Sequence, residues 1–148
     1  MQRFHKTKGA SIGTPIIMNN SEVFAYADPV SIDANGHLIV ATAGVKVIGY
    51  CLEAKTAASD NETVDKKTVQ YLEAPGVEMV YTSDQVCTQT DVGAYADLTG
   101  TTGAIQMNLV AGSTGQFLVK AFDPEGDGDT DLVVLEVAEP QRLGFTQD

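Results

Sequence analysis

No stretch of ten residues in this chain repeats its apolar side chains with helical spacing. Short alternating runs broken by turn residues recur instead from Pro15 to Pro140. "PIIM" is a short apolar run, and "SEVFAYADPV" alternates through Val23, Phe24 and Tyr26. "PVSID-ANG-HLIVA" predicts a hairpin, because Asn35-Gly36 supplies positive φ at little cost. "VKVIGYCLEAK" predicts another strand, and Gly49 inside it signals a bulge or a close backbone approach. "TVQYLE-APG-VEMVYT" reads as two strands across a tight turn at Pro75-Gly76. In "DVGAYADLTGTTGAIQMNLV", glycines and threonines separate short β pieces. "GQFLVKAFD" and "DLVVLEVAEP" complete a set of about eight or nine short strands, the pattern of a sandwich or barrel. The expected class is all-β.

With 148 residues the chain is long enough for one well-buried domain. Residues 1–14 read as an extended N-terminal arm, 15–142 as the β domain and 143–148 as a C-terminal tail. The segment "KTAASDNETVDKKT" shows no apolar stripe and is expected as an exposed loop, with a short helix from Ser59 or Asp60 as the alternative.

Charge narrows the partners. The formal net charge is −11, which argues against nucleic acid, since phosphate binding needs a basic face. Yet Arg3, Lys6 and Lys8 precede the first acidic residue, Glu22. This basic segment is either a solvated tail or an arm that lies on an acidic partner surface. No apolar run approaches the roughly 20 residues of a membrane-spanning helix. The polar N-terminus lacks a signal-peptide core, so synthesis and use in the cytosol are expected, unless the chain leaves inside a larger particle. Cys51 and Cys87 form neither a disulfide framework nor a metal spacing. Two buried free thiols are expected, with one disulfide or a reactive thiol as alternatives.

Candidate chemistry is sparse. "DPEGDGDTD" sets Asp123, Glu125, Asp127, Asp129 and Asp131 among glycines, the kind of oxygen donors calcium takes. Val134 stands where an EF-hand requires a bidentate Glu, so an acidic hairpin loop is the plainer reading. His5 and His37 lack a telling nucleophile or paired carboxylate, although a triad of His37 with Cys51 or Cys87 would form only in space. "TGTTG", Thr99 to Gly103, reads as a turn. There is no GxGxxG, P-loop, HExxH or GxSxG, and no cofactor is expected. Tryptophan is absent, and Phe24, Tyr26, Tyr50, Tyr71, Tyr81, Phe117 and Phe122 are expected in packing. Phe4 and Phe145 sit in polar terminal segments, where they either anchor on a neighbouring chain or pack back on their own domain.

The stretch "ADPVSIDANGHLIVATAGVKVIGYCLEA" resembles the capsid decoration (cement) proteins of tailed bacteriophages, with their D-P-V strand, Gly-containing turn and V-x-G-x strand. "VGAYADLT", "GQFLVKAFDPEGD" and "LVVLEVAEPQ" are similar to the last strands of phage structural proteins. The resemblance implies a small β-barrel or β-tulip-like domain with an N-terminal arm. It implies a non-enzymatic protein on the outer capsid surface of the virion that clamps major capsid protein subunits, often as a homotrimer. Arg3, Phe4, Lys6, Lys8 and Phe145 are then the expected contacts. The alternatives are a tail or head-fibre module, or a calcium- or carbohydrate-binding β-sandwich.

Overall fold

A computed structural model of the protein describes residues 2–109 and 115–138. The first half of the chain forms β1 (Gln2–Lys6), β2 (Ile16–Ile17), β3 (Val23–Phe24), β4 (Pro29–Ile32), β5 (Leu38–Val40), β6 (Gly49–Cys51), β7 (Lys55–Thr56), β8 (Thr68–Val69) and β9 (Tyr71–Glu73). The second half forms β10 (Glu78–Ser83), β11 (Tyr95–Thr101), β12 (Ala104–Asn108), β13 (Phe117–Phe122) and β14 (Leu132–Val137). The all-β class expected from the sequence is the class observed, and no described helix is long and apolar enough to cross a membrane.

Five strands close a barrel in the order β10-β12-β11-β13-β14, with β14 returning to β10. Every pairing is antiparallel except β10–β12, which is parallel at Thr82–Gln106 and Ser83–Met107. Alternation fills the barrel. Met79, Tyr81, Met107, Phe117, Val119, Val133, Leu135 and Val137 point inward and are buried. Burying each such side chain favours folding by about 1.5–3 kcal/mol.

A four-stranded sheet, β5-β4-β6-β9, packs beside the barrel and is covered on both faces. Tyr50 and Leu72 join the barrel core. Their neighbours Cys51 and Tyr71 point the other way, into a second core with Met18, Phe24, Val30, Leu38 and Val69. That second core is closed by two short ladders, β2–β8 and β3–β7. Gly49 lets the sheet form. A Cβ there would stand 2.1 Å from the Leu72 carbonyl oxygen, so the close approach expected at this glycine is real.

Four expectations are corrected. The first concerns the N-terminal arm. Gln2–Lys6 is not extended away from the body but pairs as β1 with β10, from Gln2–Tyr81 to Lys6–Glu78. β1 and β12 occupy the same edge of β10 in succession, because β14 takes the other edge. An unpaired edge beside an apolar core is a better place for this segment than water. The second concerns the 29–40 hairpin. It forms, but Asn35 is not in the left-handed region, and only Gly36 has positive φ, at 83°. The Gly36 amide donates to the Asp33 carbonyl at 3.1 Å and the Asp33 amide to the His37 carbonyl at 2.8 Å. This is a turn followed by a glycine bulge rather than a two-residue Asn-Gly loop.

The third concerns Thr68–Ser83. The turn at Pro75-Gly76 exists, with the Val77 amide bound to the Ala74 carbonyl, but its flanking strands do not pair with each other. β9 stays in the four-stranded sheet and β10 enters the barrel, so the turn is a corner between layers. The fourth concerns residues 55–68. They contribute β7, a single π-type turn over Asn61–Asp65 and the start of β8. Asn61 in that turn is fully buried.

Candidate functional site

The expected N-terminal contact residues divide into two groups. Phe4 points inward, its ring edge-on to Tyr26 at 5.4 Å and to Tyr50 at 6.2 Å. It packs on its own domain, the second of the two placements open to it from sequence. Arg3 points outward and pairs with Glu125. Lys6 and Lys8 are exposed. Phe145 and the whole 143–148 tail lie outside the described residues.

Arg3 meets the acidic loop at one residue, Glu125. Arg3, Val80, Val134 and Ala121 stand in one cross-strand row on the outer face of the barrel. Val80 and Val134 are nonetheless buried, in a satellite cluster with Leu132. The Asp123–Asp131 loop joins β13 to β14, as expected, and folds back so that Glu125 meets Arg3 over this row. Asp123 takes a positive φ of 49°, and its carboxylate accepts the Asp127 and Gly128 amides at 3.2 Å each. A hydrogen bond to Asp131, with burial and neighbouring carboxylates adding to it, raises the pKa of Asp129. Among the described residues, no group of three or more His, Cys, Asp or Glu side chains is placed to hold a metal.

His37 and the two cysteines do not converge. Cys51 lies in the second core and Cys87 in the barrel core, both as free thiols. Each thiol donates to a carbonyl, Cys51 to Glu53 at 2.8 Å and Cys87 to Gln85 at 3.7 Å. Burial pushes the Cys51 thiol up to about 11 and raises Cys87 as well, so both are protonated at neutral pH. His37 Nδ1 lies 2.8 Å from a Glu62 carboxylate oxygen, an approach invisible in the linear spacing.

The polar centre of the molecule is Asp28, which sequence reasoning passed over. It is fully buried. Its carboxylate accepts Gln2 Nε2 at 2.6 Å, the Ala25 amide at 2.9 Å, the Gly103 amide at 3.0 Å and the Thr102 hydroxyl. One side chain therefore fastens β1, the β3–β4 corner and the tip of the β11–β12 hairpin. Of the "TGTTG" stretch, expected as a turn, only Thr102–Gly103 form the hairpin tip; Thr99–Thr101 are the end of β11, paired with β12.

Fixing the tip there leaves a cleft of about 330 Å³ between the two layers. One wall comes from Glu22, Val23 and Val40, the other from Thr101, Thr102 and Ile105. The Glu22 carboxylate accepts the Val40 amide at 2.7 Å. Burial raises the Glu22 pKa, against that amide bond, and Asp33 and Asp28 add to the rise. No motif announced this cleft, because Glu22 and Thr101 are about 80 residues apart in the chain and come together only in the fold, where Asp28 is one of the side chains that join the two layers. Tyr26, expected in packing, packs edge-on against Phe4 but keeps 52% of its surface exposed. Compared with known protein families, curated proteins and solved structures, the chain matches none.

Proposed function

We propose that this chain is a non-enzymatic structural protein of a tailed-phage virion. It binds the outside of the capsid and stabilises contacts between major capsid protein subunits, acting as a homo-oligomer with a trimer favoured. The observation that carries this reading is the use to which the interior polar side chains are put. Asp28, Asn61 and Gln116 are buried, and each holds backbone from separate segments in place. The Gln116 amide accepts the Leu98 amide and donates to the Thr42 carbonyl, which ties the barrel to the four-stranded sheet. A body fastened in this way presents its surface in fixed register, as repeated contact with a lattice requires. The high negative charge keeps free copies apart before they meet the shell. Apolar side chains available for contact include Ile12 and Val86, at 62% and 67% exposure.

The test is cosedimentation of the protein with expanded heads assembled from the major capsid protein of the same genome. Saturable binding at a fixed ratio per capsid subunit is expected, with density on the outer surface by electron microscopy. Lys6→Glu with Lys8→Glu should weaken it, since both lysines are exposed and neither touches the core. Absence of cosedimentation sinks the reading. Deleting residues 1–14 is not a usable test, because it removes β1 and with it Gln2 and Phe4 from the fold.

A further inference from the structure

We infer that the cleft between Glu22 and the β11–β12 tip receives an arginine side chain from a partner protein. Its volume of about 330 Å³ lies at the small end of ligand pockets, which run from about 300 to 1,000 Å³. That suits one long side chain better than a cofactor. The walls match such a side chain in order. Val23, Val40 and Ile105 supply apolar surface for methylenes, and Glu22 supplies a carboxylate. Thr101, at the end of β11, and Thr102, at the tip, add hydroxyl oxygens; the Thr102 hydroxyl donates to Asp28, and its oxygen can still accept a hydrogen bond.

Charge points the same way. Among the described residues, Glu22 has no cationic partner within ion-pair distance, and the one donor its carboxylate has is the Val40 amide. The Asp33 and Asp28 carboxylates act on it through space, so the local field is negative. A half-desolvated carboxylate in such a field favours a cation, and the weakly hydrated guanidinium gives up water more readily than an ammonium. Its fork of donors can meet Glu22 and the threonine hydroxyls together. The partner as the source of the arginine rests on the docking role proposed above; the chemistry of the cleft does not.

The experiment is an amide NMR titration of the full chain with N-acetyl-arginine amide, and in parallel with N-acetyl-citrulline amide, its neutral isostere. Arginine should shift the Val23, Val40, Thr101 and Thr102 amides saturably, with citrulline at least about tenfold weaker, as expected for loss of a charged hydrogen bond. Glu22→Gln should weaken the arginine response by a similar factor. Its amide oxygen still accepts the Val40 amide, so the fold is kept. Val23→Arg, at an exposed position in the cleft mouth, should supply its own guanidinium and block the site. Equal shifts with both probes, no shifts with either, or an undiminished response in either variant overturns the inference. Failure to bind heads with the titration intact sinks the virion reading alone.

Discussion

The two halves of the molecule are held together differently. In the barrel, β10 to β14 run for five to seven residues each, and their ladders close on themselves. Backbone pairing and inward apolar side chains account for that half. In the first half, most strands after β1 are two or three residues long, too short to satisfy their flanking backbone. Side chains do that work instead. Asp28 collects four donors; Asn61 Nδ2 donates to the Met18 carbonyl at 2.7 Å while its Oδ1 accepts the Lys67 amide at 2.9 Å. Glu53 accepts the Gln70 amide and Lys55 donates to the Thr68 carbonyl. The lesson is that short strands can form a solid layer when a few polar side chains replace missing ladder bonds, because a buried amide left without a partner costs about 1–3 kcal/mol.

That contrast can be broken at single residues. The largest effect is expected at Asp28. Asp28→Ala strands several buried donors at once and should cost at least about 3 kcal/mol in urea denaturation. A loss below about 1 kcal/mol would mean that the first half does not depend on its polar staples. Gly49→Ala follows. Its Cβ would strike the Leu72 carbonyl oxygen, and overpacking of this kind costs about 1–3 kcal/mol. Stability equal to wild type would show that β6 and β9 can separate freely. Asn61→Ala should cost about 2 kcal/mol, measured by thermal and urea unfolding, with the barrel residues keeping their amide-exchange protection longer than Met18 and Lys67.

The next effect is one of pH. Glu22 has its pKa raised by burial, so its charged form is disfavoured in the folded state relative to the unfolded chain. Its contribution to stability is therefore fully present below its unfolded value of 4.5 and is lost as pH rises through the raised folded value. Glu22→Gln removes that titration. The stability of the Gln variant relative to wild type should rise with pH across this window and then level off. A flat difference would show that Glu22 is fully solvated. The smallest effect is expected at the Arg3–Glu125 pair, where a double-mutant cycle should return under about 1 kcal/mol, because both side chains are partly exposed. A larger coupling would make the acidic loop a structural part of the barrel wall.

The sequence by itself determined the class of the fold and much of its local geometry. Period two in "FLVKAF" puts Phe117 and Val119 on one face, whereas "LVVLEV" is apolar on both faces and only the fold shows that Val133, Leu135 and Val137 line the barrel while Leu132 and Val134 join the outer cluster. Gly49 announced a close backbone approach, and the acidic run announced a hairpin loop. The tertiary structure alone decided which strands pair. β9 and β10 flank a tight turn yet belong to different sheets, because both edges of β10 are taken by distant strands, β14 on one side and β1 and β12 on the other. It also decided the fate of the N-terminus, where the empty edge of β10 captures Gln2–Lys6. The cleft was out of reach of any reading along the chain. Glu22 and Thr102 are brought together by a buried carboxylate at Asp28, and in sequence that residue is one unremarked aspartate before a proline.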